Sequence, residues 1–154
     1  MGKLTIVRGL PGSGKSTYAR KLAAETGAVL VEPDALLVED GTYNYTPGRY
    51  GKAVDVAHAI VEACACIGAD CIYADVLPTV VDVCFVARNY LPFARRGHRP
   101  RLEIVEMPSI GVEESLRRNR HGVRPEDVAR MAERWEHHPD AVRAGGERLE
   151  RTEP

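Results

Sequence analysis

Residues Leu4 to Thr17 read Leu-Thr-Ile-Val-Arg-Gly-Leu-Pro-Gly-Ser-Gly-Lys-Ser-Thr, an apolar run that stops at glycine and continues as G-x-x-x-x-G-K-S from Gly9 to Ser16. This spacing is that of a phosphate-binding P-loop. Gly12 and Gly14 let the backbone turn so tightly that successive N–H groups point inward at phosphate oxygens, which a Cβ would obstruct. Lys15 then meets the β- and γ-phosphates of a bound nucleotide, and the Ser16 hydroxyl becomes a Mg²⁺ ligand. Gly9, Pro11, Ser13 and Thr17 complete the candidate nucleotide cradle. A helix opening near Lys15 adds its N-terminal N–H groups and its dipole to the same anion site.

Outward from the loop, strand and helix patterns alternate. Lys3 to Arg8 is the strand, and Lys15 to about Glu25 the helix, stopped by Gly27. Ala28-Val29-Leu30-Val31 is a short continuous apolar run, suited to a strand covered on both faces. It leads into Glu32-Pro33-Asp34, which puts an acid just past a strand's carboxyl end, where open α/β sheets bind their ligands. A turn-rich loop from Asp40 to Pro47 carries Tyr43, Asn44 and Tyr45, and a long helix from about Pro47 to Ile67 follows. There Ala53, Val56, Ala57, Ile60, Cys64 and Ile67 fall at helical spacing and predict one buried stripe. Asp70 to Ala74 reads as a strand closed by Asp75, Thr79 to about Arg96 as a helix, and Arg101 to Met107 as another strand. Gly111 to Asn119 is helical, and Pro125 opens a last helix on which Val128, Met131, Ala132 and Trp135 share a face.

The expected fold class is α/β: a parallel sheet of four visible strands covered by helices on both faces. The P-loop domain is expected over 1–138, with an Arg-rich lid at about 117–125, and 139–154 as a tail without a strong pattern. A chain of 154 residues suits one domain with a real core. Its charge is uneven. The first 87 residues carry 7 basic and 10 acidic side chains and the rest 14 and 12, every basic one of the latter being arginine. Arginine suits bidentate phosphate recognition, and equally a GC-rich genome. Met1-Gly2-Lys3 leads directly into the first strand and no apolar stretch reaches membrane-span length, so a cytoplasmic protein is expected. Cys64, Cys66, Cys71 and Cys84 lack zinc-ribbon spacing, which predicts reduced, mostly buried thiols.

Other P-loop classes fit poorly. No Asn-Lys-x-Asp-like guanine reader is present, and Asp75 is followed by Val76 where a water-activating glutamate would stand. A small kinase remains, with a hydroxyl as acceptor. Arg8 to Thr17, the lone Asp34 after the second strand, Asp75 closing the third, and Arg118-Asn119-Arg120-His121-Gly122-Val123 before a helix together resemble the phage-type 5′-polynucleotide kinases. The resemblance covers roughly Lys3 to Trp135. It implies a kinase that uses ATP and Mg²⁺ on a nucleic-acid hydroxyl. Asp34 is then the general base, Ser16 and Asp75 serve the metal, and Arg118 and Arg120 act on the transferring phosphoryl group, with Arg124 behind them near ATP.

The departures from that family concern the acceptor. Leu37 stands where an arginine usually holds the acceptor's phosphate, and Val76-Leu77-Pro78 where Thr-Asn usually follows the strand-end acid. Both make the acceptor site more apolar. Tyr43, Tyr45, Tyr50 and Arg49 offer base stacking and phosphate contacts, with loop packing as the plainer role. His58 is an acceptor-side candidate or a core-edge histidine, and Arg95 to Arg101 a solvated turn or a nucleic-acid contact. Alternative acceptors are the hydroxymethyl group of a modified pyrimidine in DNA and a small metabolite or nucleotide sugar, as in zeta-toxin-like enzymes. A non-catalytic ATP-binding module is the alternative of another class.

Overall fold

The computed structural model describes residues 2–93 and 101–144. Along them run β1 (Lys3–Arg8), α1 (Lys15–Thr26), β2 (Val29–Val31), a 3₁₀ turn (Pro33–Leu37), β3 (Val38–Glu39) and β4 (Thr42–Tyr43). There follow α2 (Pro47–Ile67), β5 (Cys71–Asp75), α3 (Val80–Ala87), a second 3₁₀ turn (Leu91–Phe93), β6 (Arg101–Glu106), α4 (Gly111–Arg118), α5 (Pro125–Glu133) and β7 (Ala141–Arg143).

Five strands form one sheet in the order β2-β5-β1-β6-β7, every pair parallel, while β3 and β4 make a separate antiparallel hairpin. Side chains alternate across a strand, so Leu4 and Ile6 face one way and Val7 the other. The first face meets Cys71, Tyr73 and Ile104 and is covered by Ala57 and Val61 of α2 and Val83 and Val86 of α3. The second joins Ile72, Ala74 and Val105 to α1 through Ala19, Tyr18 and Leu22. Both faces are therefore dry, and every residue of β1 after Lys3 is buried. Register aligns Arg8 with Asp75 on one side and Glu106 on the other, and Glu106 with Arg143. Charges of alternating sign thus cross the carboxyl edge of the sheet.

The sheet has one strand more than the sequence pattern shows, because Ala141–Arg143 pairs with β6. Three residues are too few to display a period, and the strand exists through its neighbour. The buried face of α2 is Ala53, Ala57, Val61, Cys64 and Ala65, whereas Val56 and Ile67 of the expected stripe are exposed. Small residues lie against the sheet and let the helix approach closely. Helix α3 ends at Ala87, well short of Arg96, and its N-terminus is a full capping box between Thr79 and Asp82. Cys64 and Cys71 are buried, but Cys66 and Cys84 are exposed. The basic turn from Arg95, apart from Arg101, and the tail from 145 lie outside the described residues. No helix among those described is long and apolar enough to cross a membrane.

Candidate active site

The loop between β1 and α1 turns through a Ser13 N–H to Leu10 carbonyl bond of 3.1 Å, with Gly12 at φ +75° and Gly14 at φ +88°. Gly14 caps α1 without a side-chain hydrogen bond, so the first-turn N–H groups of that helix are left open. A Cβ on Gly12 would lie 2.7 Å from Cβ of Arg118 and 3.1 Å from the Ser115 carbonyl. Glycine is required there twice, by its backbone angle and by the approach of α4. The Ser115 hydroxyl donates to the Pro11 carbonyl at 2.6 Å in a fully buried bond, fastening α4 to the loop. Lys15 is half-buried at the start of α1; burial pushes its pKa down, and the charges of Asp75, Asp34 and Glu32 oppose this.

Two carboxylates stand across from the lysine. Asp75, at the end of β5, is 6% exposed. Its Oδ2 accepts from the Tyr50 hydroxyl at 2.6 Å and its Oδ1 from the Val76 N–H at 2.7 Å. Burial pushes its pKa up, Asp34 adds to that, and the Tyr50, Val76 and Lys15 interactions pull it back. Asp34 sits in the 3₁₀ turn and caps no helix, the N-cap position there being Glu32. Its Oδ1 accepts from the Tyr43 hydroxyl at 2.8 Å. Among the described residues its other oxygen has no hydrogen-bond partner.

The tyrosines link these acids. Tyr43 and Tyr45 stack with ring centroids 6.3 Å apart, and Tyr45 meets Tyr50 at 6.0 Å. Burial, then its carboxylate partner, raises the pKa of both Tyr43 and Tyr50. Arg49, on α2, pairs with Glu39 of β3 at 3.4 Å. With Lys52 it rims a groove of about 510 Å³ floored by Leu37, Ala53 and Val56. Leu37 is 2% exposed and lies three residues from Asp34 on one 3₁₀ turn, where such residues eclipse. His58 is half-buried against Tyr73 at 5.9 Å, its pKa lowered by burial and then by Arg88. That is a core-edge setting, apart from the tyrosine trio.

The lid arginines differ in their commitments. Arg118 pairs with Glu114, which also holds both ends of the Arg117 guanidinium at 2.7 Å, and Arg117 first of all depresses the Glu114 carboxyl to about 2. Arg124 binds Asp127 at 2.9 Å and Glu126 at 3.3 Å. Arg120 is exposed and has no ion pair among the described residues. Asn119 shapes the loop between them, accepting from the N–H groups of His121 and Val123 and donating to the Val123 carbonyl. His121 lies 4.5 Å from the Tyr43 ring, so lid and acceptor side touch.

Sequence reasoning missed a buried hub behind the loop. Arg8 is fully buried and donates to Glu106 and to the Pro78 carbonyl, each at 3.0 Å. Its guanidinium also lies 4.3 Å from the centroid of the Trp135 ring. Glu106 accepts from the His138 N–H and contacts His137 Nδ1, both at 2.8 Å. Burial lowers the pKa of Arg8, and Glu106 opposes it most. The signal lay in Arg8 itself, a charge ending a strand that buries every residue before it back to Leu4.

Ser16 lies in the first turn of α1, and Asp75 retains carboxylate lone pairs beyond the two it uses. No cluster of three or more metal-ligating side chains exists among the described residues. This donor set fits Mg²⁺ carried on phosphate oxygens and waters.

The chain is similar to one in the structure of the Pnkp1/Rnl/Hen1 RNA repair complex, with a TM-score of 0.67 and 21% identity over 86% of this chain and 43% of that one. It thus spans less than half of that protein's chain. It is also similar to a gluconokinase from Sinorhizobium meliloti 1021, with a TM-score of 0.61 and 14% identity over 92% of this chain and 81% of the other. A sugar kinase from Janibacter sp. HTCC2649 has a TM-score of 0.64 and 18% identity over 94% of this chain and 85% of its own. At these identities the likeness is one of fold. The AAA_33 model, described as an AAA domain, matches residues 4–144, and the chain therefore belongs to that family, with the architecture of a P-loop kinase.

Proposed function

We propose that the chain is an ATP-dependent kinase that transfers the γ-phosphate to a hydroxyl of a nucleic acid, at the 5′ end of a strand. The observation that carries the reading is Asp34, beyond a strand end, with one oxygen held by Tyr43 and the other without a partner among the described residues, in the field of Lys15. A carboxylate so placed accepts the acceptor hydroxyl's proton while Lys15 and the loop N–H groups hold the phosphates. Ser16 would hold Mg²⁺ directly and Asp75 would hold its waters; when bound, the ion neutralises phosphate charge. Arg118 lies against the loop through its Cβ, its guanidinium on Glu114, and Arg120 is exposed without an ion pair among the described residues. A well-positioned lid arginine contributes about 10³-fold or more. The three tyrosines with Arg49 and Lys52 supply stacking faces and cations for a nucleotide. The RNA repair complex named above supports a nucleic-acid acceptor by likeness of fold.

A second reading keeps the chemistry and replaces the acceptor by a small metabolite. Leu37, buried in the groove floor, removes a cation from the acceptor side, and two of the similar structures are a gluconokinase and a sugar kinase. Labelled γ-phosphate transfer to 5′-hydroxyl DNA, 5′-hydroxyl RNA, DNA carrying hydroxymethyl pyrimidines, nucleosides and sugars separates these acceptors. Label on a strand's 5′ end is the expected result. Label only on sugars would replace the nucleic-acid reading with the second one.

A further inference from the structure

We propose that Tyr43 is itself a phosphoryl acceptor: with ATP bound and no other hydroxyl at Asp34, the chain phosphorylates its own Tyr43. The inference rests on the kinase reading above and on Asp34 as its base.

A hydroxyl about to attack must lie within about 2.6–3.2 Å of its general base. The Tyr43 hydroxyl already donates to Asp34 at 2.8 Å, and no other side-chain hydroxyl does so among the described residues. The phenol also feels the charge of Asp75, and Lys15 feels both acids. Phenol and both carboxylates therefore lie within electrostatic reach of the phosphate-binding lysine, and the phenol is the hydroxyl hydrogen-bonded to the base.

Tyr50 makes the contrast. Its hydroxyl is tied to Asp75, which is buried at the end of a central strand and has both oxygens engaged. Tyr43 instead belongs to a hairpin of two-residue strands outside the main sheet, turned by Asp40 at φ +50° and Gly41 at φ +76°. A hairpin that small is held by its packing and can shift. Its ring lies 4.5 Å from that of His121, so the Asn119–Gly122 bend touches this side chain among the tyrosines.

In the step, a Tyr43 Oη lone pair forms a bond to the γ-phosphorus, and the bond from that phosphorus to the β–γ bridging oxygen breaks. ADP leaves with the electron pair. The phenolic proton passes to Asp34 and then to water. Burial and Asp34 hold that proton firmly on the phenol, so the transfer depends on the base. The product carries about −2 charge beside two carboxylates and fills the acceptor's place, which makes the modification self-limiting and inhibitory.

The test is incubation of the whole chain with ATP and Mg²⁺ without acceptor, followed by peptide mass spectrometry. Phosphate on Tyr43 is expected, at a rate per chain independent of protein concentration. Asp34→Asn lowers it by about 100-fold or more, while directly measured ATP binding persists. Phosphate on another residue, or none, overturns the proposal. Absence of label in a chain that phosphorylates an added hydroxyl overturns this inference alone. Label on Tyr43 in a chain that phosphorylates no nucleic acid overturns the acceptor reading alone.

Discussion

On its phosphate side the site is interlocked, and on its hydroxyl side it is loosely assembled. Pro11 is hydrogen-bonded to Ser115, Gly12 lies against Arg118, and Arg8 behind them is buried among Glu106, Pro78 and Trp135. Across the cleft, Asp34 rides on a 3₁₀ turn and Tyr43 on a two-residue strand, while Leu36, Val38 and Tyr45 are exposed around them. The donor half handles one invariant group, a nucleotide's phosphates, and needs fixed N–H positions. The acceptor half is anchored by the buried Pro33 and Leu37 and by Tyr50 on Asp75, while its exposed residues can change at little cost in fold stability.

The largest test of that division is Asp34→Asn, which is expected to lower kcat by about 10²- to 10⁴-fold with little change in the KM for ATP. A kcat within about threefold of the original would show that no chemistry rests on the hydroxyl side. Next comes the hub. Arg8→Met leaves Glu106 buried without its main partner and is expected to cost about 3–5 kcal/mol in urea unfolding. The double variant Arg8→Met with Glu106→Leu should recover much of that loss, since the pair's burial is itself costly. Gly12→Ala is smaller, about 1–3 kcal/mol from the backbone angle and the contact with Arg118. It should also weaken ATP binding, read by titration calorimetry; unchanged affinity would mean that α4 yields more easily than its packing suggests.

The smallest effect is one of pH. His58 has a lowered pKa in the folded chain, by burial first, so the folded state binds this proton less readily than the unfolded one. Its contribution is full above the unfolded-state value of about 6.5 and is lost as pH falls below it. Urea midpoints compared between about pH 7.5 and 5 should slope downward, and His58→Leu should flatten part of that slope. An unchanged slope would move the effect to His138, whose pKa burial also lowers.

What could be read in the residues followed the same line. The loop, the strand before it and the two strand-end acids are local patterns, each decided within a few neighbours, and the structure has them where the sequence places them. The Tyr43–Asp34 pairing, across 9 residues, depends on how a small hairpin folds back, and Tyr50–Asp75, across 25, on how α2 lies beside β5; no spacing encodes either. The α2 stripe failed at Val56 and Ile67 because helical periodicity marks apolar residues, while the sheet selects the small ones. β7 was invisible for want of length. Arg8 was visible as a residue, but its burial is decided by Glu106 and Trp135, about a hundred residues further on.

The segment from Asn119 to Arg134 leaves the P-loop at Ser115 and returns to the sheet at Trp135 and His137, so it is fastened at each end. A flap hinged at one end swings clear; a strap with two buckles can only bow. On the proposed function, a nucleotide would then enter from the side, with slack drawn from the Asn119–Gly122 bend and the short helix after it. On the kinase reading, entry and exit of ATP would depend on how far this strap can arch, a quantity that lengthening the bend by a residue or two would change without touching any group proposed to meet phosphate.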